Sequence, residues 1–145
     1  MASPTPDVNQ ASNGRYGEAT FSVNWFAEEP DNLENEKLLD TDNLSGQYDN
    51  ARFAIEKIEW AASDTLTADV EFNSMPPGPD GLVLSIPQGA TAGEIDFKKI
   101  TLNGCKTDPN RDSPGDVVVN TLTAAANDKL FIHVLYKEKG TTPAP

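Results

Sequence analysis

The sequence predicts an all-β domain, an antiparallel β-sandwich of jelly-roll or Greek-key type with about seven to eight strands and a disordered or extended N-terminal arm. Three observations carry that expectation. Apolar and polar residues alternate with a period of two through most of the chain, clusters of Gly, Pro, Asn and Asp separate the alternating runs, and helical spacing of apolar residues is nearly absent. A closed barrel is compatible with the same pattern.

Residues 1–14 hold Pro4, Pro6, Asn9, Gln10, Ser12, Asn13 and Gly14, with Val8 as the single large aliphatic residue. Such a stretch cannot offset its ordering entropy by burial, so it reads as an arm outside the core. The first strand follows, with Phe21, Val23 and Trp25 alternating with Thr20, Ser22 and Asn24. Around Leu33 to Leu39 only a scrap of apolar helical face is present, enough for at most one short turn. Residues 52–60 place Phe53 and Ile55 in one phase and Ile58 and Trp60 in the other, a phase change that predicts a β-bulge near Glu56 and Lys57.

The alternation is clearest at 65–73, where Leu66, Ala68, Val70 and Phe72 take one face and Thr65, Thr67, Asp69, Glu71 and Asn73 the other. Further strands are expected at 82–86, 94–102, 116–122 and 130–137. In the last, Leu130, Ile132, Val134 and Tyr136 share one face while Phe131 and Leu135 lie on the other, so this strand is expected to be central and covered on both sides. The prolines of residues 140–145 bar helix and central strand, leaving a tail. The sandwich domain is then 15–139, between the arm at 1–14 and the tail at 140–145.

Eleven Lys and Arg stand against 23 Asp and Glu, a net charge of −12, which repels phosphate backbones and anionic membranes; neither nucleic acid nor membrane is an expected partner. The single cysteine, Cys105, excludes an intrachain disulfide or a C-x-x-C site and suits a reducing compartment. The N-terminus lacks the basic and apolar regions of a signal peptide, and no long apolar run is present.

Candidate chemistry is sparse, and neither a catalytic residue nor a cofactor or metal site is assigned. His133, the only histidine, lies mid-strand and reads as a packed or hydrogen-bonded sheet residue without an evident catalytic partner. Cys105 has Lys106 and Arg111 nearby but no base. The acidic segment 28–49 fails the calcium-loop register, since a loop starting at Asp40 puts Leu44 at a ligand position and Ser45 where glycine is needed; an irregular calcium site using Asp40, Asp42 and Asp49 stays open. Trp25, Trp60, Phe21, Phe53 and Tyr48 could form a sugar-stacking platform, although their periodicity suits a core.

In order, the chain presents a strand ending near Trp25, the segment Leu38-Leu39-Asp40-Thr41-Asp42-Asn43-Leu44-Ser45, then Phe53-Ala54-Ile55-Glu56-Lys57-Ile58-Glu59-Trp60, Asp96-Phe97, Gly115-Asp116-Val117 and a closing strand at 130–137. This succession resembles small virion proteins of tailed bacteriophages, of the kind that decorate or cement the capsid exterior. The Met75-Pro76-Pro77-Gly78-Pro79 loop and the acidic 28–50 segment depart from the pattern. The resemblance implies a non-enzymatic protein made in the bacterial host cytoplasm. It would reside on the capsid surface, bound across neighbouring major capsid subunits, commonly as a homotrimer. Docking is expected at the arm, the acidic segment and the sheet edges, with Val8, Arg15, Leu33, Leu38, Leu39 and Tyr48 as contact residues. The alternative is a carbohydrate-binding or cell-surface sandwich module.

Overall fold

The computed structural model describes residues 4–12, 16–26, 31–40, 48–49, 52–73, 82–97, 105–106, 116–139 and 142–143. Every element within them is a strand, and the strands form two main antiparallel sheets, as a β-sandwich requires. The larger sheet runs in the order β1 (Asp7–Ser12), β2 (Tyr16–Asn24), β11 (Lys129–Lys139), β5 (Arg52–Ala62), β8 (Ala92–Asp96), with β9 (Cys105–Lys106) pairing β5 beyond the end of β8. The smaller sheet runs β3 (Glu36–Leu39), β10 (Asp116–Leu122), β6 (Thr67–Asn73), β7 (Leu82–Ile86), and β12 (Thr142–Pro143) pairs β4 (Tyr48–Asp49).

Period-two patterning explains which sides meet. From the large sheet Ala19, Phe21, Val23, Leu130, Ile132, Val134 and Tyr136 point inward; from the small sheet Ala68, Val70, Leu84, Ile86, Val117 and Val119 face them, all buried in one cluster. Each fully buried Phe, Leu, Ile or Val side chain contributes roughly 1.5–3 kcal/mol. The predicted bulge is present. Leu135 opposes Lys57 but Tyr136 opposes Ile55, which leaves Glu56 as the extra residue and lets Ile55 and Ile58 both reach the core.

Two glycines on the large sheet lie beneath aromatic rings. The Tyr136 ring covers Gly17, where an added Cβ would collide with it, and the Tyr136 hydroxyl donates to the Ala11 carbonyl at 3.4 Å. Trp60 likewise covers Gly93 of the neighbouring strand and donates its indole N–H to the Ala90 carbonyl at 3.3 Å. Glycine is needed at both positions for close approach.

Three expectations change. Residues 7–12, read as an arm, are extended but lie on their own sheet, paired with β2 through all six positions. Gln10 adds a second tether: its side-chain amide donates to the Asp40 carbonyl at 3.1 Å and accepts from the Asp40 N–H at 2.8 Å, joining the edges of the two sheets. The suspected helical turn at 33–39 is strand β3, with Asn35 at φ 52° preceding it. Burial decided the outcome, because Leu33, Leu38 and Leu39 all insert into the core, and Leu33 exchanges hydrogen bonds with the buried Thr121: its N–H donates to Oγ1 at 2.8 Å and its carbonyl accepts from the Thr121 N–H at 3.1 Å. Finally, β11 is central as expected, but its outer side is open, with Phe131 43% and Leu135 37% exposed.

Candidate functional site: the outer face of the large sheet

The register sets the outward side chains in rows across the sheet. One row reads Asp7, Ser22, Phe131, Ala61, Ala92; the next Asn9, Thr20, His133, Glu59, Glu94; the third Ala11, Glu18, Leu135, Lys57, Asp96. Phe131 therefore stands among small neighbours and borders a shallow concavity lined also by Ser22, Asn24, Ala61, Ser63 and Lys129. Two large apolar side chains thus flank a histidine on the central strand.

His133 is held from both sides. Its Nδ1 lies 3.0 Å from Glu59 Oε1 and its Nε2 3.1 Å from Glu18 Oε2. An ionised carboxylate only accepts, so both contacts are hydrogen bonds when the ring carries two protons, as an imidazolium. Partial burial is the largest single influence on His133 and lowers its pKa, but the hydrogen bonds to Glu59 and Glu18, helped by their charges, outweigh it and raise the pKa from its ordinary 6.5. Glu59 responds in kind: its hydrogen bond to His133 is the main reason its carboxyl falls below the usual 4.5.

The charges around this triad are matched within the sheet. Lys57 Nζ lies 3.3 Å from Glu94 Oε2, and Lys137 Nζ sits 5.7 Å from the centre of the Tyr16 ring. With both ring nitrogens of His133 engaged by carboxylates, neither is turned to an incoming substrate, and the two carboxylates approach opposite sides of the ring instead of converging on one ion. Among the described residues no group of three or more His, Cys, Asp or Glu side chains is arranged to hold a metal.

The sandwich end nearest Phe131 is fixed by Asp128, a buried carboxylate that accepts from Thr65 Oγ1 at 2.9 and 3.1 Å and from the Ala125 N–H at 2.9 Å. Its backbone carbonyl also accepts from the Trp25 N–H at 2.8 Å, while the Ser63 hydroxyl accepts from the Lys129 N–H at 2.9 Å. Turns from three parts of the chain meet there and are joined by these hydrogen bonds.

The expected contact residues do not gather on this face. Val8 is exposed on β1, but Leu33, Leu38 and Leu39 are core residues at 2% exposure or less, because β3 and the segment before it pack inward along β10. They are not available as a contact surface. Arg15 lies outside the described residues, and Tyr48 belongs to β4. Of the calcium candidates, Asp40 faces Lys37 at 3.6 Å and Asp42 lies outside the described residues. Cys105 sits in β9 opposite Ile55. Of the aromatic platform, Trp25 and Phe21 are buried, with the Trp25 indole N–H donating to the Asp31 carbonyl at 2.8 Å, and Trp60 is half-buried over Gly93.

Glu18 and Glu59 as partners of His133 went unread in the sequence, which had left that histidine without an evident partner. Their outward phase on β2 and β5 is visible in the period-two pattern, but their approach to His133 depends on β11 lying between those strands, across 115 and 74 residues of chain. The chain matches no protein-family model and no curated protein sequence.

Proposed function

We propose that this chain is a non-enzymatic docking protein of a bacteriophage virion, one that decorates the capsid exterior by binding across neighbouring major capsid subunits, as a homotrimer. The observation that carries the docking reading is the outer face of the large sheet, where Phe131 and Leu135 are exposed at its centre beside the Glu18, His133 and Glu59 triad and the Lys57–Glu94 pair. Apolar residues at the middle of a patch with a polar surround are the anatomy of a protein interface. The capsid as partner rests on the resemblance carried by the succession of segments from Trp25 to Lys137. A protein that binds only the assembled shell stabilises it by mass action.

The test is co-sedimentation of the purified protein with mature phage capsids, alongside its solution mass. The expected result is a trimer that pellets with capsids and is released when Phe131 and Leu135 are both changed to Asp. A stable monomer that stays in the supernatant would sink the proposal.

A further inference from the structure

We propose that the docking face is pH-gated by His133: doubly protonated, its ring ties β2, β11 and β5 together, and loss of one proton breaks the tie and leaves an uncompensated carboxylate beside Phe131 and Leu135. This inference rests on the docking reading above and adds its regulation.

The argument is first one of geometry. Glu18 and Glu59 approach opposite ring nitrogens at 3.1 and 3.0 Å from the two strands that flank β11. A neutral imidazole has one N–H, so it can donate to only one of them. The groups facing the ring are Glu18 from β2, Glu59 from β5, and beyond it Lys57 and Glu94, which pair with each other at 3.3 Å. Asp96 lies opposite Lys57, β1 contributes the uncharged Asn9 to the His133 row, and Lys137, further along β11, sits over Tyr16. Among the described side chains Lys57 also acts on Glu59 through its charge, but its ion pair is with Glu94, and His133 is the group that donates hydrogen bonds to Glu18 and Glu59. Deprotonation therefore takes the triad from a charge of −1 to −2.

A partner covering Phe131 and Leu135 strips water from the triad as well. A carboxylate that has lost its donor is costly to cover, whereas one bonded to an imidazolium is much less so. Docking thus favours the protonated ring, and attachment weakens as pH rises through the folded-state pKa of His133. The chain makes the effect easy to isolate. His133 is the only histidine, and carboxylates and lysines hold their charge between about pH 6 and about pH 8.5; His133→Gln keeps the α-amino group and the Cys105 thiol, which also titrate in that window, and so isolates the ring.

The experiment uses the full chain and two readouts. NMR of the His133 ring follows its titration in the wild type and in Glu18→Gln and Glu59→Gln. Retention on a phenyl-bearing matrix probes the apolar face at pH 6 and pH 8.5 in the wild type, His133→Gln and Phe131→Asp. The expected result is a ring midpoint above 6.5 that moves down in each Gln variant. Retention should fall several-fold at the higher pH in the wild type, and not in His133→Gln. A midpoint at or below 6.5, or equal wild-type retention at both pH values, overturns the gate. Retention insensitive to Phe131→Asp instead overturns the docking reading, while the ring titration still judges the tie. If a variant fails to fold, the wild-type titration together with wild-type retention at the two pH values still decides the gate.

Discussion

The two outer faces of the sandwich are both polar by alternation and yet are built in opposite ways. On the small sheet the polar groups satisfy one another: Asn120 donates to Glu71 Oε1 at 2.8 Å and accepts from the Asn35 N–H at 2.8 Å, and Ser85 donates to Asp69 at 2.7 Å. Among the described side chains of that face Val118 is 2% exposed, and Leu122 stands out only at the end of its strand. On the large sheet the Glu18, His133 and Glu59 triad and the Lys57–Glu94 pair lie beside two apolar side chains that remain exposed at the sheet centre. One face is closed by its own hydrogen bonds, and the other leaves two large apolar side chains exposed at its centre.

The sharpest way to break that contrast is to charge one face and disturb the other. Phe131→Asp with Leu135→Asp should weaken attachment to phage capsids roughly 100-fold or more, the scale of two interface hot spots. Asp69→Asn with Ser85→Ala on the small sheet should leave the same co-sedimentation unchanged. Gly17→Val should cost about 1–3 kcal/mol, by driving a side chain into the Tyr136 ring, read as a fall of several degrees in Tm. Asn120→Ala should lower stability by about 1 kcal/mol in urea denaturation without touching attachment, since it removes bonds to Asn35 and Glu71 that hold the small face together.

The smallest effect is the pH dependence of Tm. The folded pKa of His133 is raised, so its contribution is complete below 6.5 and is lost as pH climbs through the folded value. Glu59 has a lowered pKa and behaves in the opposite sense: its contribution is present above 4.5 and is lost as pH falls through the folded value. Stability from this pair is therefore greatest between those two limits, and His133→Gln should flatten the alkaline side of the curve. Glu59 is open to solvent and His133 is only partly buried, so the shift in Tm is expected to be slight.

Much of this architecture was legible in the residues. The alternation at 65–73, the Ile55 to Ile58 phase change and the four inward residues of 130–136 each report a strand face directly, because the pleat makes side-chain direction a local property. The arm and the outer face of β11 were misread for one shared reason: coverage is not local. Residues 7–12, mostly polar, gain order from the β2 ladder and from the Gln10 contacts with Asp40, and Phe131 and Leu135 look buried only to a count that assumes two covering layers. Likewise the Glu18, His133 and Glu59 triad became visible only once strand order was known.

The place of β11 also bears on how the domain is made. It is the last long strand in chain order and yet the middle of the larger sheet, so β2 and β5 both wait for it with unpaired edges while the chain is synthesised. Pairing over such separations carries a high loop-closure cost and slows folding. Without residues 129–139 the β1 to β2 ladder and the β5 to β8 ladder have no strand between them, and the edges that β11 pairs in the full chain are the kind that favour aggregation.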